Sequence, residues 1–137
     1  MTGLAGSAPH TPSTGICYEV FVRSFADADG DGVGDLRGLI SHLDYINNGN
    51  PQSSTDLGAS CVWLMPIAKS VSYHGYDVTD YYHVDPRYGT DEDFRDLVRA
   101  AHSRGIRVIV DFVSNHSSSD HPWFQSALKD PASPYRS

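Results

Sequence analysis

The chain alternates short apolar runs with longer stretches that carry apolar residues every third or fourth position. Residues 16–24 (ICYEVFVRS), 60–67 (SCVWLMPI) and 106–110 (IRVIV) are rich in β-branched and aromatic side chains and read as three strands. Pro66 stops the second. Between the first two, Leu36, Leu39, Ile40, Leu43 and Ile46 recur at helical spacing. Between the second and third, Phe94, Leu97, Val98 and Ala101 form a second helical stripe. That helix is marked at both ends. Thr90 stands at the N-cap, Asp91, Glu92 and Asp93 sit at the positive end of the dipole, Arg104 falls in the last turn and Gly105 suits the left-handed C′ position. A short third helix is predicted with Pro122 at its first position. Residues 47–57 and 68–89 are predicted as loops, the latter long.

Strands joined by helical crossovers run parallel, and the crossovers are right-handed. The loops after all three strands therefore emerge on one edge of the sheet, where α/β folds gather their functional groups. The expected architecture is α/β, either a doubly wound sheet or part of a (β/α)8 barrel. The third strand is the most informative. Its apolar run gives way to Asp111, then Asn115 and His116, so a carboxylate, an amide and an imidazole arrive together at a strand end.

Composition narrows the function. The 137 residues carry a net charge of −7 with only 10 Lys and Arg, which leaves no basic footprint for nucleic acid. No run is apolar enough to span a membrane. Residues 1–14 are small, polar and rich in Pro and Gly, without the basic and apolar regions of a signal peptide, and are expected to be a disordered leader; the compartment stays open. Cys17 and Cys61 both fall in predicted strands. They are read as buried free thiols, with a disulfide between neighbouring strands as the alternative.

Two loops carry candidate chemistry. Residues 27–35 read DADGDGVGD. Asp27, Asp29, Asp31, the Val33 carbonyl and Asp35, with Gly32 at the turn, match the early ligand positions of a calcium loop. Gly38 occupies the place where an EF-hand needs a bidentate Glu, and a strand replaces the entering helix, so the loop is EF-like only. Two carboxylates about 5 Å apart repel by roughly 3 kcal/mol at an effective dielectric near 20, and four within nine residues call for a cation. The second loop brings Tyr73, His74, Gly75, Tyr76 and Asp77 to the same edge. Flat aromatic surface with polar groups at its rim suits a sugar, which has apolar faces and hydroxyl edges.

Three motifs in order, Tyr18 to Leu39, Tyr73 to Tyr76 and Asp111 to His116, resemble glycoside hydrolase family 13, the α-amylase family. The resemblance covers nearly everything after the leader. It implies a (β/α)8 barrel whose first three β/α units fill residues 15–116, with a small inserted domain B beginning at 117–137. His116 resembles the histidine that hydrogen-bonds the sugar in the −1 subsite, Tyr76 the tyrosine that stacks on it, and His74 a residue lining the same pocket. Asp111 resembles the carboxylate that orients its neighbours, and Asn115 a supporting hydrogen-bonding residue. In relatives with the acidic first loop, Asp27, Asp29, Asp31, Val33 and Asp35 hold calcium, in agreement with the reading of the residues themselves. Tyr73 stands where relatives that trim single glucoses often carry Asp. The implied substrate is accordingly an α-1,4-glucan or malto-oligosaccharide cut internally. An α-glucosidase, a transglycosylase or isomerase of the same family, and a non-catalytic calcium- or sugar-binding fragment are the alternatives. The family's nucleophile and acid/base follow strands 4 and 5, beyond Ser137. The 137-residue chain is thus expected to be inactive without the rest of the barrel.

Overall fold

A computed structural model describes residues 15–136; the expected disordered leader lies outside the described residues. Three parallel strands, β1 (Cys17–Val20), β2 (Cys61–Leu64) and β5 (Arg107–Val110), form a sheet in the order β1-β2-β5. The strands are in register, so that Val20, Leu64 and Val110 share one row.

The first crossover contains α1 (Leu36–Ser41) and α2 (Leu43–Ile46), two short helices where the sequence pattern predicts one. The break falls at His42, whose ring Nδ1 lies 2.9 Å from the Gly38 carbonyl. Side-chain competition for a helical carbonyl of this kind loosens the ladder. The second crossover contains α3 (Asp91–Ser103). Thr90 and Asp93 form the full reciprocal cap, in which the Thr90 hydroxyl accepts the Asp93 N–H while Asp93 accepts the Thr90 N–H. Gly105 takes a φ of +75° beyond the last turn, as a C′ residue should. Leu36, Leu39, Leu43, Ile46, Leu97 and Ala101 from these helices bury completely against Val20, Val62 and Leu64 of the sheet and Ile106 just before β5. The opposite face is open: Trp63 is 40% and Ile109 47% exposed. Among the described residues no helix is long and apolar enough to cross a membrane.

Three further expectations need correction. The first strand ends at Val20 and passes into a single 3-10 turn, Val22–Ser24. The predicted loop 68–89 contains an antiparallel hairpin of β3 (Ala68–Ser70) and β4 (Val78–Val84). Its second arm, VTDYYHV, is β-branched and aromatic, a strand signal masked by the polar residues around it. Cys17 and Cys61 are not free thiols. They are register partners with Cα atoms 4.4 Å apart and are joined as a disulfide, Cys17 on the exposed side and Cys61 buried. Parallel pairing without offset brings them together, and no local signal in the sequence reports that offset.

Candidate active site

The hairpin and the segment after β5 meet over the carboxyl edge of the sheet. Asp111 extends the ladder by one rung, its N–H donating to the Leu64 carbonyl at 2.9 Å. That fixes its carboxylate at the strand end. The Tyr76 hydroxyl donates to Asp111 Oδ2 at 2.6 Å. This bond, then burial, then the negative charge of Asp111 and of Glu19 push the Tyr76 phenol up to about 12, so it remains a proton donor at any working pH. His116 Nε2 lies 3.1 Å from the Tyr76 carbonyl oxygen, and Asn115 Nδ2 lies 3.5 Å from His116 Nδ1. Tyr76, Asp111, Asn115 and His116, taken from two loops 35 to 40 residues apart in the chain, thus come together.

His74 faces the same cluster, its ring centroid 5.9 Å from that of Tyr76, and its Nε2 lies 3.8 Å from Asp77 Oδ2. Tyr73 is further out, edge-on to Phe21 and 66% exposed. Gly75 makes the bend between them possible. Its φ is +86°, and a Cβ there would stand 2.8 Å from the Pro66 carbonyl oxygen. Among the described residues Asp111 makes no ion pair, and Arg104, the cation at the end of α3, reaches Asp44 at 2.7 Å.

Sequence reading missed Tyr81. From β4 its hydroxyl donates to the His116 carbonyl at 2.7 Å. Its ring stacks on Trp123 of α4 (Pro122–Lys129), with centroids 5.8 Å apart. Ser118 N–H bonds to the Val78 carbonyl at 2.9 Å, which lays the 111–118 segment along the hairpin. Pro122 does open α4, as predicted, and the buried His121 caps it by accepting the Trp123 N–H.

The acidic loop lies between β1 and α1. Carboxylate oxygens of Asp27, Asp29 and Asp35 lie within 4.8 Å of one another. Asp31 is outside this group and accepts the Val33 N–H at 2.7 Å. Asp27 accepts the N–H groups of Gly30 and Gly32 at 2.6 and 2.8 Å. The Gly32 bond first, then the Gly30 bond, hold its carboxyl below the usual carboxylate range. Asp35 caps α1 through the Gly38 N–H at 2.6 Å and takes the Ala28 N–H with its other oxygen at 2.9 Å. Each oxygen keeps a lone pair, and a set of hard carboxylate donors fits calcium or magnesium rather than a soft metal.

Comparison with known proteins follows the same lines. The family described as alpha amylase, catalytic domain, matches residues 19–137. Alpha-amylase 3 of Dictyoglomus thermophilum is 60% identical over 121 residues, 88% of this chain and 23% of that protein. The trehalose synthase/amylase TreS of Mycobacterium tuberculosis is 48% identical over 137 residues, 97% of this chain and 22% of that protein. The crystal structure of an alpha-amylase from H. orenii superposes with a TM-score of 0.88 at 61% identity, covering 89% of this chain and 25% of that one. The chain thus spans about a quarter of the length of these relatives. Its open sheet face, with Trp63 and Ile109, lies opposite the helices, on the side that faces inward in a (β/α)8 barrel. The chain belongs to the α-amylase family, glycoside hydrolase family 13, and forms the first three parallel strands of its (β/α)8 catalytic barrel.

Proposed function

We propose that this chain supplies the −1 sugar subsite and a calcium loop to a retaining, endo-acting hydrolase of α-1,4-glucans or malto-oligosaccharides. The observation that carries the reading is the Tyr76–Asp111 hydrogen bond at 2.6 Å with His116 bonded to the Tyr76 backbone. A phenol ring locked in place by a carboxylate offers a rigid face for the apolar side of a pyranose. At its edge His74 offers its Nε2 to the hydroxyls, and His116, whose Nε2 rests on the Tyr76 carbonyl oxygen, would exchange that bond for a sugar hydroxyl. Asn115 steadies His116, and the exposed Tyr73 extends the aromatic surface toward the next sugar.

Cleavage with retention needs a nucleophile and an acid/base flanking the bond. In this proposal both come from later barrel strands, so the chain holds sugar without cutting it. The segment 117–137, carrying α4, begins the domain inserted after the third strand. Asp27, Asp29 and Asp35, completed by Asp31 and the Val33 carbonyl, would hold the calcium ion. When bound, the ion would offset part of the negative charge that the four carboxylates bring together.

The test compares reducing-sugar release from starch by the full-length protein and by the 137-residue chain. Activity in the first and none in the second is expected; release by the short chain overturns the proposal. Product analysis on maltose separates a second reading, favoured by the 97% coverage against a trehalose synthase/amylase. Trehalose as the main product would replace hydrolysis with isomerisation.

A further inference from the structure

An ion pair with a buried carboxylate and a partly exposed guanidinium grips the aromatic loop at its root. Asp85 is 2% exposed and accepts Arg87 Nε at 2.9 Å and Nη2 at 2.7 Å. Asp85 also accepts the Ser70 N–H at 3.2 Å, while Arg87 Nη2 donates to the Ser70 carbonyl at 2.9 Å. Both backbone groups of Ser70, the last residue of β3, are therefore held. From its side chain a relay runs up the loop. Ser70 Oγ accepts the Ser72 N–H at 3.2 Å and lies 3.3 Å from Ser72 Oγ. Ser72 Oγ lies 3.2 Å from His74 Nδ1, and the Tyr76 N–H donates to that same Nδ1 at 3.1 Å.

The chemistry of the last step is directional. A backbone N–H can only donate, so Nδ1 must present its lone pair, and the neutral ring must carry its proton on Nε2. Among the described residues Nε2 makes no hydrogen bond; the Asp77 carboxylate is 3.8 Å away. An N–H left unpartnered at the rim of an aromatic pocket is available to a ligand oxygen.

We propose that Ser72, anchored through Ser70 to the Asp85–Arg87 pair, is a positioning residue that holds the His74 ring in place, so that the Nε2–H tautomer set by the Tyr76 N–H presents a donor-only contact to a sugar oxygen. The ligand's identity rests on the sugar-binding reading above; the tautomer does not. Ser72 touches no reacting atom and acts only through His74. Loss of its hydroxyl frees the ring from one of its two Nδ1 partners while leaving the loop backbone and its Tyr76 bond in place.

The experiment uses the full-length protein with 15N-labelled histidine. Long-range proton–nitrogen correlations read the tautomer of His74, assigned by its loss in His74→Gln. The Nε2–H form is expected in the unmodified protein, with a displaced Nδ1 resonance in Ser72→Ala and recovery in Ser72→Thr. In parallel, Ser72→Ala should raise KM for maltohexaose about tenfold, the loss of roughly one hydrogen bond's worth of binding, with kcat moving less. A proton on Nδ1 in the unmodified protein, or nitrogen resonances in Ser72→Ala identical to it, overturns the proposal. Should the protein neither bind nor cleave maltohexaose, the nitrogen spectra still decide the tautomer, and only the sugar reading falls.

Discussion

The acidic loop after β1 and the aromatic loop after β2 rise from the same edge of one sheet but are held in opposite ways. The acidic loop supports itself. Its carboxylates bond to N–H groups two to seven residues away, and among the described residues none of them bonds to a group outside residues 27–38. The aromatic loop is shaped by residues it meets only after folding: Asp111 and His116 from beyond β5, and the Asp85–Arg87 pair below it. A self-supporting loop can be loaded or emptied of an ion with little consequence for its neighbours. A loop held by remote partners fails when any one of them is changed.

The largest expected effect follows from that difference. Asp111→Asn in the full-length protein keeps the size of the side chain but removes the charge that draws the Tyr76 phenol. A ring left unfixed in a sugar subsite should lower kcat/KM on starch by about a hundredfold, since small misplacements near a reacting centre cost on that order. Activity within threefold of the unmodified protein would show that the phenol needs no such anchor. Next comes calcium. With free calcium about thirty times Kd, removal by EDTA should cost about 2 kcal/mol of stability by mass action. Asp27→Ala and Asp29→Ala should abolish the response to calcium, while the His116 and Tyr76 resonances stay unmoved. Calcium-independent melting of the unmodified protein would sink the metal reading.

A third test uses the two loops' glycines. Gly32 and Gly75 both sit at left-handed φ, +89° and +86°. A Cβ at Gly32 would meet nothing within 4 Å, whereas at Gly75 it would press on the Pro66 carbonyl at 2.8 Å. Gly32→Ala should cost about 1–2 kcal/mol for the backbone alone. Gly75→Ala should cost about 1 kcal/mol more, because a carbonyl in the preceding segment has to yield. Equal losses by denaturant titration would mean that the Pro66 contact relaxes freely.

The same contrast explains what the sequence made legible. The capped helix α3, the parallel strand order and the acidic loop rest on short-range chemistry: a Thr–Asp cap, β-branched runs, alternating Asp and Gly. Spacing along the chain reports these directly. The hairpin β3–β4 was hidden because Lys69, Asp80 and His83 break the apolar alternation of a strand lying outside the main sheet. Tyr81 reads as one more aromatic until the fold sets its hydroxyl on the His116 carbonyl. The cysteine pair depends on the register of two strands 44 residues apart, a global property. Family resemblance assigned Tyr76 and His116 to one sugar subsite with Asp111 in support, but neither it nor any periodicity in the chain announced the Tyr76–Asp111 hydrogen bond.

The smallest expected effect compares two carboxyls that share a direction of shift. At Asp85 burial pushes the carboxyl up, but hydrogen bonds from the Arg87 side chain and from the Arg87 and Ser70 N–H groups outweigh it, and the net value falls below the usual 3.8. At Asp27 the Gly32 and Gly30 N–H groups lower it from the same reference. A carboxyl depressed in the folded state contributes stability that is present above its unfolded value of 3.8 and is lost as pH falls through the folded value. Both should therefore weaken the fold only in acid, below about pH 4. Their weights differ with exposure: solvent screens the exposed Asp27, whereas Asp85 is buried against a guanidinium. In calcium-free denaturant titrations between pH 5 and pH 2, Asp85→Asn should flatten the slope of stability against pH and Asp27→Asn should leave it close to that of the unmodified protein. Added salt should erase what remains of the Asp27 contribution and leave that of Asp85. The reverse ranking would place the acid-sensitive anchor in the acidic loop, and the aromatic loop would then owe its shape to the Asp111 and His116 contacts alone.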